Sequence, residues 1–156
     1  VAHRRQAVAI AEEVLELTGL AGKAGAMGHD LTMPERKRLE LARALATRPR
    51  VLLLDEVMSG LNPTESGRLI ELVRTIHRRG ITVVLIEHIM KAVMTLSQRV
   101  LVLNYGELIA DGQPGQVVRD RKVIEAYLGE GYAEGAGGSD TSPGCGDPSR
   151  PPGQAP

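Results

Sequence analysis

Val51-Leu52-Leu53-Leu54-Asp55-Glu56 is an unbroken apolar run that ends in two adjacent acids. Four apolar residues without polar alternation predict a strand buried on both faces, the habit of parallel sheets. Upstream, Arg48-Pro49 breaks a helix whose start is signalled by Thr32-Met33-Pro34-Glu35. Thr at the N-cap, Glu at N3 and Pro where no N–H partner is needed form a capping box. Leu39, Ala42, Leu45 and Ala46 fall on one side of that helix. Downstream, Asn62-Pro63-Thr64-Glu65 repeats the capping signal, and the helix it opens turns Leu69, Ile70, Val73 and Ile76 inward and stops at Gly80. Residues 81–86 read as a second buried strand, ending in Glu87-His88. A short helix over 89–96 follows, then a hairpin of 100–103 and 107–110 around Asn104-Tyr105-Gly106. Helices over 113–119 and 122–128 close the ordered part. Before all of these, Val8, Ala11, Val14, Leu15 and Thr18 mark a helix over 7–17, and the Gly/Ala-rich stretch 21–28 is a connector. Helices alternating with buried strands predict an α/β fold, mostly parallel, with right-handed crossovers and a C-terminal hairpin. In such sheets ligands bind beyond the carboxyl ends of the strands, where Asp55-Glu56 and Glu87-His88 lie.

Composition narrows the function. Of 156 residues, 19 are Lys or Arg and 19 are Asp or Glu, so a zero net charge gives no support to a nucleic-acid binder acting through bulk charge. Aromatics make up 2%, too few for a base-stacking platform. The lone Cys145 excludes an intrachain disulfide framework and a multi-cysteine metal site. The apolar runs fall far short of the ~18 residues that span a bilayer. No charged, apolar leader opens the chain, and its first residue is Val rather than Met, which fits a processed or truncated start. From 131 to 156, 7 Gly and 5 Pro leave almost no large apolar side chains, so this segment is expected to be a disordered tail. The ordered unit is then 1–130, enough for a modest core.

Three groups of residues could carry chemistry. Adjacent strand residues point to opposite sides, so Asp55 could hold Mg²⁺ against nucleotide phosphates while Glu56 orients or deprotonates water. A strand end with two solvated acids is the alternative. His88, at the next strand's rim, could meet a γ-phosphate, or be a surface histidine. A zinc site has little support: His77 and His88 are accompanied by neither Cys nor HExxH. Thr32, at a helix N-terminus with unpaired N–H groups, suits an anion, although for this stretch alone an ordinary capped helix is the favoured reading.

In this order the pieces resemble the ATP-binding subunit of ABC transporters, particularly the branched-chain amino-acid and urea uptake group, over roughly residues 8–129. LTMPERKRLELARALATRP resembles the signature region, VLLLDE the Walker B strand, SGLNP the D-loop and ITVVLIEH the strand to the switch histidine. LVLNYGELIADGQP and VIEAYLGE resemble that group's C-terminal end. The resemblance implies the C-terminal part of a P-loop NTPase domain. It makes Asp55 the Walker B acid and Mg²⁺ contact, Glu56 the catalytic glutamate and His88 the switch histidine. Thr32, Met33 and Glu35, with Ser59, Gly60 and Asn62 of the D-loop, would contact ATP held mainly by an opposing subunit. It further implies a second, identical or different, ATP-binding subunit, transmembrane permease subunits, an indirect periplasmic or extracellular binding protein, no nucleic-acid partner, and a peripheral place on the cytoplasmic face of the membrane.

Two departures qualify this. The usual signature, Leu-Ser-Gly-Gly-Gln, is here Leu31-Thr32-Met33-Pro34-Glu35, with two glycines lost, an N–H removed by Pro34 and a charge added by Glu35. And no G-x-x-x-x-G-K-[ST] occurs: Gly22-Lys23 is followed by Ala24, and Leu17 stands where the first glycine is required. The Walker B carboxylates are therefore present without the phosphate cradle. A non-catalytic module docking on a partner ATPase competes with the transporter reading. A DNA-repair or chromosome-maintenance ATPase of the same broad fold is less consistent with the C-terminal motifs and neutral charge. Arg4-Arg5, Arg36-Lys37-Arg38 and Arg78-Arg79 are explained by solvated helix faces.

Overall fold

The computed structural model describes residues 2–128; the tail expected at 131–156, with Cys145, lies outside them. Helix α1 (Ala2–Leu17) leads through two 3-10 turns into α2 (Met33–Ala46) and strand β1 (Val51–Asp55). Helix α3 (Pro63–Arg78), strand β2 (Thr82–Ile86) and α4 (Met90–Leu96) follow. The chain then forms the strands β3 (Val100–Asn104) and β4 (Glu107–Gly112) and ends in α5 (Pro114–Val117) and α6 (Arg121–Leu128). The order is the one expected, with α1 beginning five residues earlier than its apolar spacing suggested.

Local chemistry sets the boundaries. Asn62 caps α3: its Oδ1 accepts from the Glu65 N–H at 2.9 Å, and Glu65 Oε2 accepts from the Asn62 N–H at 2.9 Å. Two orphan donors are thus satisfied reciprocally. After α2, Arg48 takes a φ of 53° with its N–H on the Leu45 carbonyl, and Pro49 then prevents continuation. The β3–β4 turn places Tyr105 at φ 47° and Gly106 at φ 85°. Two successive positive values are the twist a two-residue hairpin needs.

β1 and β2 pair in parallel from Val51↔Thr82 to Asp55↔Ile86, and β3 and β4 pair antiparallel. The pairs lie in separate two-stranded sheets. A cleft of about 550 Å³ opens between them, lined among others by Val84, Leu85, Val100 and Leu101.

Helices cover one face of β1, where Leu52 and Leu54 (4% exposed each) join Leu41, Leu45, Leu69, Ile70, Val73 and Ile76 in one core. The other face corrects the expectation of two-sided burial: Val51 is 48% and Leu53 73% exposed, and Val84 and Ile86 of β2 are exposed as well. An apolar run records that a face can be buried, and among the described residues no helix lies over this one. The helical stripes also shift. In α2 Leu41 is buried and Leu39 only half-buried; Val14 of α1 and Thr18 just after it are buried, while Val8 and Ala11 are exposed. No helix among the described residues is long and apolar enough to cross a membrane.

Candidate functional site

The parallel pairing carries Asp55 and Glu56 to the same rim as Glu87 and His88. Asp55 is the last residue of β1, opposite Ile86, and is exposed. Glu56 takes a φ of 44°, left-handed backbone that a non-glycine residue adopts at a cost of about 1 kcal/mol or more. The Glu56 N–H donates to the Ile86 carbonyl at 2.9 Å, which holds the residue there. Its Oε1 then lies 3.4 Å from His88 Nδ1. Both side chains are more than half exposed, so this pair adds little stability. Its consequence is positional: a carboxylate and an imidazole share an open rim, with His88 Nε2 left for another group.

A second cluster sits where α2 begins. Glu35 Oε2 accepts from the Thr32 N–H at 2.8 Å and from the Thr32 hydroxyl at 3.0 Å, and Lys23 Nζ lies 3.0 Å from Glu35 Oε1. These contacts, the Thr32 backbone first, hold the Glu35 carboxyl down to about 2 from an ordinary 4.5. The helix start is thus already occupied by its own anion. Met33 reaches over the loop that carries Ser59 and Asn62, and a Cβ on Gly60 (φ 79°) would overlap the Met33 methyl group. The structure therefore joins Met33 to Gly60 and Glu56 to His88, while Thr32 and Glu35 are turned toward each other and Asn62 is engaged in capping α3.

The depressed Glu35 carboxyl has a pH consequence. A carboxylate whose folded value lies below its unfolded one stabilises the fold above about 4.5, and that contribution disappears as pH falls toward about 2. The melting-temperature difference between the unsubstituted chain and Glu35→Gln is expected to shrink across this window. A difference that stays constant from pH 6 to pH 2 would show that the Thr32 and Lys23 contacts do not form in solution.

A resident metal cage is not what these residues offer. Among the described residues no three His, Cys, Asp or Glu side chains converge as one. A single exposed carboxylate at a strand end does fit Mg²⁺, which keeps most of its waters and shares phosphate oxygens.

Three residues gained significance only in three dimensions. Lys23, dismissed with the false phosphate loop, is the Glu35 partner. Arg99, through Nε and a terminal guanidinium nitrogen, clamps both Asp111 oxygens at 2.7 and 2.6 Å across the hairpin. Glu87 Oε1 accepts from the Met58 N–H at 3.0 Å, joining the end of β2 to the turn after β1. The sequence signal for Glu87 was its place beside His88 at the end of the second strand.

Residues 107–133 match the family described as branched-chain amino acid ATP-binding cassette transporter. BraF of Pseudomonas aeruginosa, a high-affinity branched-chain amino acid transport ATP-binding protein, is 42% identical over 127 residues, 81% of this chain and 50% of BraF. The crystal structure of the ADP conformation of MJ1267, an ATP-binding cassette of an ABC transporter, superposes with a TM-score of 0.74 at 29% identity. The chain corresponds to part of an ABC transporter ATP-binding subunit. LivG of Escherichia coli K12, another branched-chain amino acid transport ATP-binding protein, is 43% identical over 117 residues, 74% of this chain and 46% of LivG. The chain spans about half the length of the curated relatives it matches, and 51% of the MJ1267 chain. Its α/β fold is accordingly that of part of an ATP-binding cassette.

Proposed function

We propose that this chain supplies the hydrolytic rim of an ATP-binding subunit that powers a membrane importer for branched-chain amino acids. The observation that carries the reading is Glu56, held at φ 44° with its carboxylate 3.4 Å from His88 at the carboxyl end of two parallel strands. The branched-chain substrate is taken from BraF and LivG, whose names state it. The urea alternative implied by the sequence resemblance would use the same rim with a different permease.

In this reading Glu56 accepts a hydrogen bond from the attacking water and orients it toward the γ-phosphorus of ATP. His88, one side of its ring against Glu56, presents Nε2 to a γ-phosphate oxygen. Asp55 is the residue that would hold Mg²⁺, which would supply neutralisation of phosphate charge. Ser59 and Gly60 lie along the interface with a second ATP-binding subunit, identical or different. Thr32, Met33 and Glu35 face the nucleotide of that partner, and permease subunits take up the motion. An interface between such subunits at the permease places the chain at the cytoplasmic membrane surface, with the solute-binding protein reached only through the permease. The ordered unit would be residues 1–130, followed by a disordered tail.

Two features weaken phosphate binding by this chain alone. Its sequence holds no G-x-x-x-x-G-K-[ST], and the α2 start is neutralised by Glu35. The isolated 156-residue chain is therefore expected to bind Mg²⁺-ATP weakly and not to turn it over. Equilibrium dialysis with labelled ATP and a phosphate-release assay check this. Steady turnover by the isolated chain, removed by Glu56→Gln, would overturn it.

A further inference from the structure

We propose that Glu87 is a positioning residue: its carboxylate ties the turn after β1 to the end of β2 and so keeps Glu56 opposite His88. The inference rests on the reading of Glu56 and His88 as partners in one site.

The turn over residues 56–61 is held at two points, by the last residue of β2 and by the residue after it. The Glu56 N–H donates to the Ile86 carbonyl at 2.9 Å, and the Met58 N–H donates to Glu87 Oε1 at 3.0 Å. Within the turn, the Ser59 N–H reaches the Glu56 carbonyl at 3.1 Å and the Leu61 N–H the Met58 carbonyl at 3.2 Å. Met58, fully buried, anchors the turn from below. Glu87 is thus the only side chain among the described residues that bonds this turn's backbone from β2 or the residues just beyond it, and His88 is its immediate neighbour.

Stability alone explains this choice poorly. Glu87 Oε2 is buried without a hydrogen-bond partner among the described residues. Leaving a charged acceptor in that state is costly, and a neutral acceptor could receive the Met58 N–H without the charge. What a carboxylate adds is a stronger, charge-assisted hold on that N–H. The hold is at the turn whose first residue is kept at a strained φ, so a slack turn would let Glu56 relax away from His88.

The test uses the full 156-residue chain, isotope-labelled for NMR, with Glu87→Gln, Glu87→Leu and Glu87→Asp. Two signals are read: hydrogen exchange at the Met58 amide, and the change in the His88 ring resonances when Glu56→Gln is added. The Leu variant, with no acceptor, and the Asp variant, one methylene short, are expected to speed Met58 exchange by roughly 10- to 100-fold. Both should abolish the His88 response to Glu56→Gln. Gln, whose Oε1 still accepts but without the charge, should fall between the unsubstituted chain and the Leu variant in both signals. A melting temperature lowered by Leu or Asp with the His88 response intact would make Glu87 merely structural and overturn the proposal. Should the Leu variant fail to fold, the Asp variant decides the matter. A His88 signal that ignores Glu56→Gln even in the unsubstituted chain would instead refute the Glu56–His88 pairing itself, and the inference with it.

Discussion

Leu52→Ala is expected to destabilise the chain by about 2–5 kcal/mol, whereas Leu53→Ala, one residue on, should change stability by no more than about 0.5 kcal/mol. The two leucines are adjacent in one strand and differ in side: Leu52 is 4% exposed in the core and Leu53 73% exposed on the other face. Truncating Leu52 removes transfer energy and leaves a cavity against α2 and α3, because a packed interior relaxes only partly. Truncating Leu53 removes atoms that already meet water. Domains of this size are stable by roughly 5–15 kcal/mol in total, so Leu52→Ala would consume a large share. Urea unfolding, with the dependence on denaturant unchanged between variants, measures both. Equal losses at the two positions would mean that something covers the outer face in solution.

The second large effect is catalytic. In a hybrid cassette, residues 2–128 of this chain completed by the phosphate-binding half of a relative, Glu56→Gln should lower ATP turnover by roughly 10²- to 10⁴-fold, about 3–5 kcal/mol of barrier. The amide preserves size and keeps one acceptor but cannot take a proton, so ATP affinity should survive. The left-handed φ of Glu56 is set by the Ile86 carbonyl and the turn rather than by the side-chain charge, so the variant should keep the rim's geometry. Nucleotide dialysis beside phosphate release separates lost binding from lost chemistry. Loss of both together would assign Glu56 a binding role instead.

Much of this was legible before the fold was known, and the reasons are physical. The capping box at Asn62 and Glu65 is a local exchange of hydrogen bonds, so four residues suffice to announce it. The hairpin turn needs residues tolerating positive φ, and Gly106 supplies one. The inward stripe of α3 follows from helical spacing alone, and Leu69, Ile70, Val73 and Ile76 are all buried. The α/β order, and with it the shared rim of Asp55-Glu56 and Glu87-His88, followed from placing each strand.

What escaped is non-local. Whether Leu53 is covered depends on what packs over β1, and an apolar run reads the same either way. The strained φ of Glu56 is imposed by a carbonyl 30 positions along the chain, at Ile86. Lys23 meets Glu35 only once the 3-10 turns fold back on α2. Met33, read as a damaged signature position, turned out to lean on Gly60 because that glycine offers no Cβ. In sequence Glu87 showed only its place at the strand rim beside His88, since its partner is a backbone N–H that any residue but proline would supply at position 58.

The central proposal is that Glu56 and His88 form the hydrolytic rim of an ATP-binding cassette. Single-turnover hydrolysis of Mg²⁺-ATP by the hybrid cassette tests it most directly, with His88→Ala beside the unsubstituted form. Bound ATP should be cleaved by the unsubstituted hybrid and retained largely uncleaved by His88→Ala. Equal cleavage by both, or ATP bound tightly by the unsubstituted hybrid without cleavage, would contradict the proposal.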